Sequence, residues 1–154
     1  MAAAYGPPVR VDEIPVAHTP PGGYGDELPP PVLAGCTDPL APGVPDMRGT
    51  WRIVSVDGND GMLGHVQRIE QAGNRLVVTS GGVVHDMRCN GVEADGVHDV
   101  SPQGVEIHVI ATFEDGVHVL RPVGIPVEVR RWLEGDQLVW DYAKTFVARL
   151  ERID

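Results

Sequence analysis

A chain of 154 residues with 42% hydrophobic content fits one domain with a single core, and this composition excludes a disordered chain. The formal charge of −10, from 22 acidic and 12 basic residues, would repel a phosphate backbone. No basic stretch is clustered enough to override that, so no nucleic-acid partner is expected.

The opening MAAAYGPPVRVDEIP has neither a basic n-region nor a continuous apolar run. No segment approaches the length of a spanning helix, so the expectation is a cytoplasmic protein without membrane insertion. Cys36 and Cys89 are the two cysteines, which rules out a disulfide framework and paired CxxC metal motifs. A bridge between them has no positive support.

Residues 1–46 hold 11 of the 14 prolines and six glycines, a composition that propagates neither a helix nor a central strand. This segment is expected to be an extended, polyproline-like arm. It reads either as a disordered tail or as an arm lying across the folded body, with Val32, Leu33, Leu40 and Val44 as docking side chains. Docking is a stronger expectation for its second half than for residues 1–20.

From Arg48 onward, short runs rich in Val, Ile and Thr alternate with DG, GG and GD turn signals, an all-β texture. Candidate strands fall near 49–56, 65–71, 75–80, 83–89, 92–99, 105–113, 117–121, 127–133, 137–142 and 145–152. The stretch DGNDGMLG at 57–64 has room for a short helical turn. Sequential short strands joined by tight turns predict an all-β fold, an antiparallel up-and-down barrel of eight to ten strands over residues 47–154, with the proline-rich arm before it. Closure removes exposed edges, and a barrel of this size is filled by side chains or holds one small ligand. A two-sheet sandwich is the alternative.

The GTW of Gly49, Thr50 and Trp51, opening the first strand, together with an arginine in the final VARLERI (Arg149 or Arg152), resembles the calycin superfamily of lipocalins, fatty-acid-binding proteins and their bacterial relatives. The resemblance covers residues 48–154. It implies a ligand-binding β-barrel, with Gly49, Trp51 and Arg149 as signature residues and the tryptophan packed across one end beneath the late arginine. The chain departs from the fatty-acid-binding group in two ways. DGNDGMLG is too short for that group's helical hairpin, and Arg149-Leu150-Glu151 does not reproduce its arginine and tyrosine two apart in the last strand. Fatty acid as ligand is therefore not carried over.

Cross-strand partners share a face, so each hairpin fixes which side chains travel together. Around Gly81-Gly82, Leu76, Val78, Ser80, Val83, His85 and Met87 form the apolar, inward face. Around Gly135-Asp136, the inward face holds Val127, Val129, Arg131, Leu133, Leu138, Trp140 and Tyr142, while Arg130 faces Asp141 outside. The hairpin at Glu114-Asp115-Gly116 reads as a three-residue turn, which places Val117, Val119 and Arg121 inward and His108 and His118 outward.

The echo DGVHDV (95–100) and DGVHVL (115–120), with His85 upstream, raises the question of a metal site. On these faces His108 and His118 lie on the order of 13 Å apart at roughly 3.3 Å per residue, too far for ligands that must converge within about 2 Å of one ion. The echo reads as two Asp-Gly turns that start strands, and neither a metal nor another cofactor is expected. The candidate ligand-binding residues are His85, Arg121, Arg131, Trp140 and Tyr142. Buried arginines either stack on aromatics and reach internal carboxylates, or meet an anionic end of a small, largely apolar ligand. No hydrolytic or phosphate-binding motif is present. The alternative to a binding protein is a small isomerase- or cyclase-type enzyme using His85 and Tyr142.

Overall fold

Ten antiparallel strands follow one another in the computed structural model, which describes residues 9–154; the first eight residues of the proline-rich segment lie outside the described residues. The strands are β1 (Gly49–Asp57), β2 (Val66–Ala72), β3 (Arg75–Ser80), β4 (Val83–Arg88), β5 (Val97–Val100), β6 (Glu106–Glu114), β7 (Val117–Pro122), β8 (Val129–Glu134), β9 (Gln137–Tyr142) and β10 (Phe146–Arg152). Short 3-10 turns at Asp60–Met62 and Glu93–Asp95 join β1 to β2 and precede β5. The second turn explains why β5 begins at Val97 rather than near residue 92.

Each strand pairs with its chain neighbour, and β1 also pairs with β10, giving the order β4-β3-β2-β1-β10-β9-β8-β7-β6-β5. The outermost strands, β4 and β5, come alongside each other to make a nearly closed barrel, without a hydrogen-bonded ladder between them. The up-and-down barrel expected from the strand pattern is the architecture found, rather than the sandwich.

One hydrophobic cluster lines the inside of the barrel, built from Trp51 and Ile53 of β1, Ile69, Leu76, Val78 and Met87 of β2 to β4, Val109 and Ala111 of β6, and Leu138, Trp140, Phe146, Ala148 and Leu150 of β9 and β10. A register shift between Ile53 and Ser55 leaves Val54 exposed and lets Val56 rejoin the core, as a β-bulge does. One end is closed by the fully buried Met47. Its N–H donates to Gln71 Oε1 at 2.6 Å, and its carbonyl accepts from Trp51 Nε1 at 3.0 Å.

Arg152 is the late arginine of this end. It is the cross-strand partner of Trp51, and its guanidinium lies 4.4 Å from the indole centroid. Arg149, taken as the signature residue, points the other way and bridges to Glu134 at 3.1 Å. Alternation along the strand explains the correction: Ala148, Leu150 and Arg152 share the inner face, so Arg149 cannot.

A second, smaller cluster lies outside the barrel wall, where Val77 and Val84 and Ala72 pack against Val11 and Leu33 of the arm. Polar contacts reinforce it. Glu70 accepts the N–H groups of Val32 and Leu33. Arg75 reaches out to the carbonyls of Val11, Ile14 and Pro15 at 2.8 to 3.0 Å, while Asp86 binds the same guanidinium at 2.6 Å and accepts from Ala17 N–H. Among the described residues, the arm therefore contacts the barrel at 11–17 as well as at 32–33. Cys36 and Cys89 are free thiols.

Candidate functional site

The hairpins around Gly81-Gly82 and Gly135-Asp136 have the registers read from the sequence: Val78 faces His85, and Arg131 faces Trp140. The third hairpin differs. Asp115 and Gly116, with φ of 50° and 80°, form a two-residue turn of the primed type that an Asp-Gly pair favours. Glu114 then faces Val117, and Phe113 faces His118. A slip of one residue moves every side chain of β7 to the opposite face.

Two candidate positions change accordingly. Arg121 lies on the outer surface, held by Glu114 at 2.6 Å and Glu128 at 2.7 Å, and its guanidinium holds the Glu114 carboxyl down to about 2. His118 turns inward and is completely buried, packed at 5.4 Å between ring centroids against Phe113. The outward placement of His118 and the inward placement of Arg121 are both overturned by the tighter turn.

Arg131, from β8, is buried in the barrel with its guanidinium 4.7 Å from the Trp140 ring centroid. Its Nε donates at 3.1 Å to Oε1 of Gln67, which comes from β2 on the far side of the barrel. The contact crosses the lumen. Burial pushes the Arg131 guanidinium down to about 10, partly offset by Tyr142, so it remains charged at neutral pH. No acidic side chain bridges to it among the described residues, and its Nη1 has no hydrogen-bond partner.

The same is true of its surroundings. Gln67 Nε2, Trp140 Nε1 and both ring nitrogens of His118 are buried without partners. His118 is the cross-strand neighbour of Arg131; burial, assisted by the Arg131 charge, lowers its pKa to about 3. It is therefore a neutral imidazole. The interior thus gathers one guanidinium Nη1, an amide N–H2, an indole N–H and one imidazole N–H, each a donor without an acceptor. Gln67 was not singled out from the sequence. The alternation of Gln67, Ile69 and Gln71 on one face carries the signal, since two glutamines on a core face need partners.

Tyr142 sits at the rim, half exposed, with its ring stacked on Phe146 and edge-on to Trp140. His85 points inward near the β4–β5 opening, with Nε2 at 3.7 Å from Asp99 of β5. Burial lowers its pKa, opposed by Asp99 and assisted by Arg131. His85 and Tyr142 have separate partners and do not contact each other as an acid–base pair would.

The β4–β5 opening is spanned from outside by the arm. Thr19 Oγ1 accepts the N–H of Val84 on β4 at 3.0 Å and donates to the Asp99 carboxylate of β5, which also accepts Thr19 N–H at 3.0 Å. Farther along, Tyr24 N–H reaches Gly82 O at 3.3 Å.

The histidines of the repeated DGVH motif do not meet, since His118 faces the interior and His98 faces outward. Among the described residues no group of three or more His, Cys, Asp or Glu side chains gathers at a point that could hold a metal ion. Nor is any helix among them long and apolar enough to cross a membrane.

No protein-family model matches the sequence, and no curated protein does. Solved structures do resemble the fold. The zebrafish ileal bile acid-binding protein in complex with cholic acid is 17% identical, over 69% of this chain and 98% of that one, with a TM-score of 0.54. Fatty-acid-binding protein 1 of Echinococcus granulosus is 17% identical, over 70% and 98%, at 0.52. Human cRBP IV is 14% identical, over 70% and 98%, at 0.50. With the ten-strand order and the Trp51–Arg152 stack, these likenesses give the chain the calycin fold in its fatty-acid-binding-protein form.

Proposed function

We propose that the barrel binds a small, largely apolar molecule whose anionic end meets Arg131. The observation that carries this reading is the buried Arg131 guanidinium, with the Gln67 amide oxygen as its acceptor and no carboxylate bridging to it among the described residues. A buried cation without a counter-charge is costly, and an incoming carboxylate or sulfonate supplies the missing acceptor for Arg131 Nη1, Gln67 Nε2, Trp140 Nε1 and the His118 N–H together. The apolar lining of Val, Leu, Ile, Met and Phe suits the body of such a molecule. Structural neighbours named for bile acid and fatty acid support the same class of ligand.

The test uses two dyes of similar shape, anionic anilinonaphthalene sulfonate and neutral phenylnaphthylamine, followed by fluorescence. Losing a charge-assisted contact costs about 1.5 to 3 kcal/mol, so Arg131→Met should weaken the anionic dye by roughly ten- to a hundred-fold and the neutral dye much less. Arg130→Met and Arg121→Met, both on the outer face, should leave both dyes unaffected. Equal losses for the two dyes, or equal losses from inner and outer arginines, would refute an internal cationic anchor.

A further inference from the structure

On the outer face of the barrel, His98 of β5 and His108 of β6 are cross-strand partners, and their Nδ1 atoms lie 2.8 Å apart. Two neutral imidazoles make such a contact only when one Nδ1 carries a proton and the other does not. The far ends of the rings decide which. His98 Nε2 is 2.8 Å from the carbonyl oxygen of Glu93; a carbonyl only accepts, so this Nε2 holds the proton and the His98 Nδ1 lone pair is free. His108 Nε2 lies 3.9 Å from the Glu106 carboxylate, an acceptor toward which its ring proton can move. Each ring thus has an oxygen acceptor behind it and an inner nitrogen aimed at its partner. That is how metal-ligating histidines are oriented, with the distal N–H anchored on a backbone carbonyl or a carboxylate.

We infer that His98 and His108 form a chelating site for a divalent transition metal, copper(II) foremost. Two nitrogens about 2.0 Å from one ion are about 2.8 Å apart in neighbouring positions of a square plane, and about 3.3 Å apart at tetrahedral angles. The 2.8 Å separation, set here by the shared proton, is within reach of the square-planar case once the rings turn toward one ion; copper(II) and nickel(II) prefer that geometry, and copper(II) stands highest in the general affinity order. The ion takes the place of the shared proton: His108 moves its proton from Nδ1 to Nε2, facing Glu106, and both rings stay neutral. Because both donors stand on paired strands, little has to be ordered on binding. The remaining positions fall to water or to an added ligand, in an open groove of about 540 Å³ that His18 of the arm and Ser101 also line. The net charge of −10 favours cation approach.

The inference is independent of what the barrel interior holds. Its test is titration of the full-length protein near neutral pH with copper(II) and, separately, zinc(II), with electron paramagnetic resonance on the copper sample. One copper per chain is expected, with couplings to two imidazole nitrogens and with zinc held at least about tenfold more weakly. His98→Gln and His108→Gln should each weaken copper at least about tenfold without moving the melting temperature, and His65→Gln should leave it unchanged. Absence of copper uptake, uptake retained by the His98→Gln/His108→Gln double variant, or zinc bound as tightly as copper would each overturn the site.

Discussion

Arg152 lies over the face of Trp51 at 4.4 Å from the ring centroid, with Gly49 directly beneath its side chain. A Cβ on Gly49 would stand 2.8 Å from Arg152 Nε, and the backbone there has φ of 143°, so the glycine is required both for space and for conformation. Trp51→Ala should cost roughly 3 to 5 kcal/mol as a large-to-small core change, and Gly49→Ala should also destabilise by displacing Arg152 from the indole. Thermal unfolding followed by tryptophan fluorescence measures both; an unchanged melting temperature in Trp51→Ala would contradict this packing.

The Arg75–Asp86 pair anchors the arm. Both side chains are buried, and removing one partner leaves an uncompensated charge, a change worth about 3 to 5 kcal/mol. Asp86→Ala should lower stability by that amount and expose residues 9–46 to limited proteolysis, because the guanidinium that holds three arm carbonyls loses its orientation. If proteases cut the arm of the variant and of the parent at the same rate, the pair does not position it.

Thr19 links the two strands that lack a ladder between them. Thr19→Val keeps the shape and removes the acceptor for Val84 N–H and a donor to Asp99. The loss should be about 1 to 3 kcal/mol for the unsatisfied groups. Hydrogen exchange should accelerate at Val84 and leave the β9–β10 hairpin protected. Uniform acceleration across the barrel would point to global destabilisation instead.

Stability should fall on mild acidification. His118 has a folded pKa of about 3 against 6.5 ordinarily, so between these values the unfolded chain binds more protons than the folded one, and stability falls as pH falls. The contribution is complete above about pH 6.5 and declines by at most about 1.4 kcal/mol per pH unit toward the folded value. His85, also lowered chiefly by burial, acts in the same direction. Urea unfolding at two pH values on either side of 6 should show a smaller difference for His118→Leu than for the parent; an equal difference would mean that His118 is not buried neutral.

The strand pattern was readable because alternation and Gly-containing turns recur throughout residues 49–152, and the hairpins at Gly81-Gly82 and Gly135-Asp136 have the register their turns imply. The third failed at a single residue. Val117-His118-Val119-Leu120-Arg121 offers apolar side chains on both faces, so hydrophobicity alone does not choose between them, and the turn length decides. Asp115-Gly116 carries the signal for a two-residue turn, and following it places His118 beside Arg131. Cross-barrel contacts such as Arg131 to Gln67 have no local trace, because they depend on lumen width. The His98–His108 contact has a local trace that went unread: the Ser101–Gly104 turn, closed by Gly104 N–H to Ser101 O at 2.9 Å, sets β5 against β6 and places His98 opposite His108.

The stitch made by Thr19 also sets the order in which the molecule can assemble. Ala17 meets Asp86 and Thr19 meets Asp99, partners 69 and 80 residues farther along the chain, so the arm, made before the barrel, has nowhere to dock until β4 and β5 exist. Contacts of such sequence separation are slow to form. The arm is therefore the last piece to settle, and until it does the free edge of β4 stays open to pairing with another chain.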